Sequence, residues 1–210
     1  MLLSGFSLEM ILAAIPALII AAAGHEYAHA KVADMLGDPT PRAMGRLTLN
    51  PIVHLDLIGS LALLIAGFGW AKPVQINPMN FNDPRTDDTL VSIAGSVANL
   101  IMAFIGYLVM GILDKYGLLE NQSLELVLML IVLYNINFAI LNMMPIPPLD
   151  GSHIITNLLP WEWKFNIYQF NMVWLVLLVL FLNSPIARAI FIPLQQTIFQ
   201  LFVRIVGFIL

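Results

Sequence analysis

Long apolar runs, separated by short polar and proline-rich stretches, divide this chain. Leu8 to Ala33 is apolar almost throughout. As a helix it would be about 39 Å long, more than the roughly 30 Å hydrocarbon core of a bilayer. Pro16 inside it predicts a kink. Thr89–Leu113, Leu126–Met144, Phe165–Leu182 and Ile186–Phe208 read as further spans. Leu57–Gly69 is apolar but too short to cross comfortably, which predicts a re-entrant or interfacial element flanked by the interface anchors Trp70 and Lys72. Between Gly37 and Asp56, residues Pro39, Pro41, Gly45 and Pro51 forbid a continuous helix. There Arg42–Leu49 alternates imperfectly, predicting a short strand or hairpin, and Pro73–Asn77 predicts a second short strand. Pro145–Gly151 is rich in turn residues, and Ile154–Pro160 predicts a short helix end. The expected fold is an all-α integral membrane protein. It has five to six transmembrane or re-entrant helices and a small membrane-associated β element. Residues 1–210 form one domain, with a core over about 8–155 and two C-terminal helices over about 165–208.

Composition strengthens the membrane reading. Of 210 residues, 60% are hydrophobic and 10% charged, against roughly 25% charged in soluble domains. Mean hydropathy is +0.87. The net charge of −4 is too small to steer a partner, and the 9 Lys and Arg form no run, which excludes nucleic acid as a partner. No cysteine occurs, so disulfides and thiolate metal sites are excluded and any metal must be held by His, Asp or Glu. No Lys or Arg precedes Lys31, so the first apolar run reads as a retained helix rather than a signal peptide.

Within that first run stands His25-Glu26-Tyr27-Ala28-His29. Two histidines four apart share one helix face, the spacing with which two imidazoles bind one zinc ion. Glu26 sits about 100° round the helix, near enough to reach a metal-bound water. Ionisable groups at membrane depth mark function by default; the alternative is a buried polar cluster joining helices. A third ligand is needed, since catalytic zinc has three protein ligands and an open position. Asp150, after the proline-rich break, is the best candidate; its alternative is an N-cap for the helix beginning near Gly151. His153 and His54 compete with it. For Asp150 to meet the histidines, an even number of crossings must separate them, which requires Leu57–Gly69 not to cross. Lys31, Arg42, Arg46, Lys72 and Arg85 then share one face, the cytoplasmic one by the positive-inside rule.

These residues resemble the site-2 proteases, the intramembrane zinc metalloproteases. His25–His29 matches the zinc-helix motif of that family. Asn142-Met143-Met144-Pro145-Ile146-Pro147-Pro148-Leu149-Asp150-Gly151 is similar to its Asn-to-Leu-Asp-Gly motif, and Ile93–Asn99 to its Ala-Gly segment. The resemblance frames most of residues 20 to 155. It implies one Zn2+ per chain held by His25, His29 and Asp150, Glu26 as general base, and Asn142 contacting substrate or the developing oxyanion. Ser96 stands where many relatives have proline, and Ser152-His153 replaces the commoner Gly-Arg, raising the question whether His153 lies beside the metal. The chain looks like the compact branch, without appended soluble modules.

The function expected is zinc-dependent cleavage of peptide bonds in or near transmembrane segments of other membrane proteins, in a prokaryotic cell membrane. The alternatives are a non-catalytic binder of membrane helices, against which Glu26 argues, and a metal transporter, against which the nearly uncharged later spans argue. Substrate partners are transmembrane proteins or peptides, and the lipid bilayer surrounds the chain; the sequence carries no signal for oligomeric state. An edge strand at Arg42–Leu49 or Pro73–Asn77 is expected to receive unwound substrate, with His54 at the entrance. Asn77 and Asn99 are lesser polar candidates, Asn99 as a residue packed between helices.

Overall fold

The computed structural model describes residues 8–56, 59, 72–160, 162–163, 167 and 170–210. Seven α-helices lie among them: α1 (Leu8–Met35), α2 (Thr40–Ala43), α3 (Pro84–Lys115), α4 (Gln122–Asn142), α5 (Gly151–Thr156), α6 (Asn171–Leu182) and α7 (Pro185–Ile209). Of these, α1, α3, α4 and α7 are long and apolar enough to cross a membrane. The 12 residues of α6 would reach only about 18 Å; the expected span Phe165–Leu182 is described at Ile167 and from Phe170 onward, with Asn171–Leu182 helical. The Leu57–Gly69 element lies outside the described residues except at Gly59.

Helix boundaries follow capping chemistry. α3 begins five residues before the expected Thr89, because Asp83 caps it by accepting from the Arg85 and Thr86 N–H groups, with Pro84 in the first turn. Asn121 caps α4 in the same way through Ser123 and Leu124. Ser184 caps α7 through Ala187 N–H.

The interior is a triangle of α1, α3 and α4, each packed on the other two. α1 contributes a stripe at every fourth position: Ala13, Ala17, Ala21, His25, His29 and Ala33 are all buried. Small side chains let backbones approach closely, the usual basis of helix association in lipid. α3 turns Val91, Ser92, Gly95, Ser96, Asn99 and Ala103 inward while Leu90, Val97, Ile101, Ile105 and Val109 stay exposed. Polar atoms are thus inside and large apolar groups outside, as hydrocarbon surroundings demand. Away from the histidines, Ala103, Met110, Val132, Ile136, Ile140 and Phe202 form an apolar cluster that attaches α7 to α3 and α4.

The small β element is not found among the described residues. Thr40–Ala43, which overlaps the expected strand at Arg42 and Ala43, is a helical turn, started by Pro39 and Pro41, whose fixed φ suits a first turn. Asn50 and Asn77 each accept from the N–H two residues on, opening short 3-10 turns at Pro51–Val53 and Pro78–Asn80. Residues 72–77 carry no ladder, and Pro73 has no N–H to offer one. Lys72 N–H does donate to His54 O at 2.8 Å, and the buried Arg46 guanidinium donates to Val53 O. His54 and Lys72 therefore meet.

The strap 72–80 is anchored at its far end by Asp38, which is fully buried. Its carboxylate accepts from Thr40 N–H (3.1 Å), Thr40 Oγ1 (2.6 Å), Asn77 N–H (2.8 Å) and Asn80 Nδ2 (2.7 Å). Burial pushes its pKa up, but the bonds from Thr40, Asn77 and Asn80 outweigh burial and hold it below the ordinary value of 3.8. A lowered folded-state pKa contributes stability that is complete above the unfolded value and lost as the pH falls through the folded one. Asp38→Asn is expected to cost about 1–3 kcal/mol near neutral pH. The gap from wild type in thermal midpoint, measured in detergent, should narrow steadily below the ordinary carboxylate pKa.

Candidate functional site

His25 and His29 lie one turn apart on the buried face of α1, with ring centroids 4.5 Å apart and planes at 85°. Each ring is held through Nδ1. His25 Nδ1–H donates to Asn99 Oδ1 at 2.7 Å, and His29 Nδ1–H to the Val91 carbonyl at 2.7 Å. The Asn99 amide is oriented by its other end, since Nδ2 donates to Ala21 O (3.0 Å) and Asn135 Oδ1 (2.8 Å). With Nδ1 protonated on both rings, each Nε2 presents a lone pair.

Those lone pairs converge on Asp150. Its Oδ2 lies 2.9 Å from His25 Nε2 and 3.2 Å from His29 Nε2, and the two Nε2 atoms are 3.0 Å apart. Three acceptors this close, largely removed from water, repel unless they share a cation. Ligands held at about 2.0 Å by a tetrahedral ion are spaced about 3.3 Å apart, near the observed separations. Two imidazoles and one carboxylate also form a donor set known for catalytic zinc. The residues therefore fit a metal. They are the one group of three or more such side chains found among the described residues.

Local backbone explains the convergence. A Cβ on Gly151 would lie 2.5 Å from the Met143 carbonyl and 2.6 Å from Met144 O, so glycine lets the Leu-Asp-Gly turn fold back on the end of α4. Asp150 does not cap α5 with its side chain; it has helical φ and ψ and makes no capping bond. Gly95 of α3 lies directly against the imidazoles, where a Cβ would come within 2.5 Å of His25 Cε1 and 2.6 Å of His29 Nε2.

Other expected residues fall into distinct places. Glu26 is buried beside the pair, with Oε2 accepting from Val74 N–H at 2.8 Å. Asn142 is half-buried, and its Nδ2 donates to Phe138 O of its own helix at 3.1 Å. His54 is buried away from the group, with Nε2 donating to Thr48 O at 2.8 Å. His153 bonds Asp88 Oδ2 through Nδ1 at 3.1 Å and does not join the three. Five participants escaped the sequence reading: Asn135, Asp88, Asp38, the Val74 amide and the Val91 carbonyl. Asn135 had a signal, as one of three amides, with Asn137 and Asn142, in an apolar span. Asp88 also had one, because Asp88, Ser92, Gly95 and Asn99 recur at helical spacing. The amide and the Val91 carbonyl are main-chain groups without a side-chain signature.

Residues 112–183 match the model described as Peptidase family M50. A Bacillus subtilis protein named as a zinc metalloprotease, YwhC, is 39% identical over 194 residues, covering 88% of each chain. A Mycolicibacterium smegmatis protein named as a zinc metalloprotease, Rip2, is 28% identical over 132 residues, 60% of this chain and 49% of that one. No solved structure matches. The histidine pair on a membrane helix, the Asp-Gly turn that meets it and the extent of the likeness to YwhC have one common explanation: the chain belongs to peptidase family M50, the site-2 proteases, and is an integral membrane metalloprotease.

Proposed function

We propose that this protein is a zinc-dependent endopeptidase that hydrolyses peptide bonds in or near transmembrane segments of other membrane proteins. We place its site near the cytoplasmic face of a prokaryotic membrane and read residues 1–210 as one catalytic unit. The observation that carries the reading is the meeting of His25 Nε2, His29 Nε2 and Asp150 Oδ2 with both Nδ1 atoms already committed. His25, His29 and Asp150 would hold one Zn2+. When bound there, zinc supplies Lewis acidity that activates water and polarises a scissile carbonyl.

The chain's own groups carry the remaining roles. Glu26 is held through Oε2 by Val74 N–H, which leaves its other oxygen to take a proton from the attacking water and return it to the leaving amine. Asn142 uses one Nδ2 hydrogen on Phe138 O and retains a second for the oxygen on which negative charge develops. A helical substrate must unwind before attack, because its amides are paired within the helix. The largely exposed strap 72–77 beside Glu26 could pair with the unwound segment by strand addition. The positive side chains Lys31, Arg42, Arg46, Lys72 and Arg85 support the cytoplasmic assignment.

Three measurements on purified protein and a model transmembrane substrate test this reading. Glu26→Gln should lose cleavage by about 10²-fold or more while retaining zinc at the wild-type stoichiometry; undiminished cleavage would refute the base assignment. Gly95→Ala should weaken zinc binding by about tenfold or more, as its methyl displaces both imidazoles. Gln75→Pro removes a main-chain donor from the strap and should slow cleavage with zinc unchanged; full activity would exclude strand addition there.

A further inference from the structure

Asp150 approaches the imidazoles from a turn that has just left α4, and something must keep that turn against α3. Asp150, His153 and Asn157 recur at helical spacing along α5 and its C-cap. His153 and Asn157 both bond the same buried carboxylate, Asp88 in the second turn of α3. Asp88 Oδ2 is 2.9 Å from Asn157 Nδ2 and 3.1 Å from His153 Nδ1. Asn157 Nδ2 also donates to Thr89 Oγ1 at 3.0 Å and lies 3.3 Å from Arg85 O. α5 is thus attached to α3 by side chains from two of its turns.

The same stretch of α3 holds the other two ligands. Val91, three residues after Asp88, orients His29; Gly95 abuts both rings; Asn99 orients His25. We propose that Asp88 is a positioning residue for the third metal ligand. Through His153 and Asn157 it registers the Asp-Gly turn against the helix that already aligns the imidazoles. This rests on the reading that His25, His29 and Asp150 bind zinc. It gives His153 a task that requires no contact with the ion.

The test is zinc affinity, read by competition with a chromogenic chelator on the full chain in detergent, with metal-free thermal midpoints recorded alongside. Asp88→Ala is expected to weaken zinc about tenfold, or about 1.4 kcal/mol. Asp88→Asn, which keeps an oxygen for Asn157, should recover most of the loss. In an Asp150→Ala background, Asp88→Ala should add nothing, because the ligand it positions is gone. A purely structural Asp88 would lower the midpoint and leave affinity within twofold of wild type, or weaken zinc equally in both backgrounds; either result overturns the proposal. If Asp88→Ala does not fold, His153→Ala on the same cycle should weaken zinc only when Asp150 is present, and no such dependence overturns it. Wild-type protein that takes up no zinc sinks the metalloprotease site itself, whereas zinc lost in Asp150→Ala but kept in Asp88→Ala sinks this inference alone.

Discussion

Two hydrogen bonds, from His25 Nδ1–H to Asn99 and from His29 Nδ1–H to the Val91 carbonyl, set the terms for the rest of the molecule. They choose the tautomer of both imidazoles and turn both Nε2 atoms to one point. Neither bond forms unless α3 lies close to α1, and that approach depends on glycine at position 95 and on the alanine stripe of α1. Packing and chemistry are therefore one problem here. The small residues that permit helix association in lipid also bring the acceptors within reach of the rings.

Asn99 shows how the interior is economised. One amide bonds α1 through Ala21 O, α4 through Asn135 and a proposed metal ligand through His25. In hydrocarbon an unmatched amide would be costly. Here each partner satisfies the next, and the network joins all three helices of the central triangle. The bilayer-facing surface carries no comparable information: Ile101, Ile105 and Val109 are exposed and apolar, and lipid is their solvent.

The sequence made the long helices and the histidine-bearing segment legible because both rest on periodicity, which a chain displays directly. Three elements show where such reading stops. The expected strand over Arg42–Leu49 failed because an imperfect alternation weighs less than Pro39 and Pro41, which start a helical turn, and Asn50, which opens another. The start of α3 was misread by following hydrophobicity to Thr89 when Asp83-Pro84 is the capping signal. Asp38 passed unnoticed as a loop acid, since its four donors include Asn77 and Asn80, remote in sequence. Asp150 was singled out by its place after the proline-rich break and by the motif it completes. Its supporting contact with α3 could not be, because Asp88 and His153 are 65 positions apart.

Two groups that hold this centre are main-chain atoms: the Val91 carbonyl on His29 and the Val74 amide on Glu26. Replacing either valine side chain leaves those atoms in place. Alanine scanning would therefore read out neither hydrogen bond: at Val91, which is buried, it would report lost packing instead, and drift in side-chain identity would leave both bonds in place. The arrangement is protected by backbone path rather than by residue identity, and a survey of tolerated substitutions would understate how much of the centre the two segments supply.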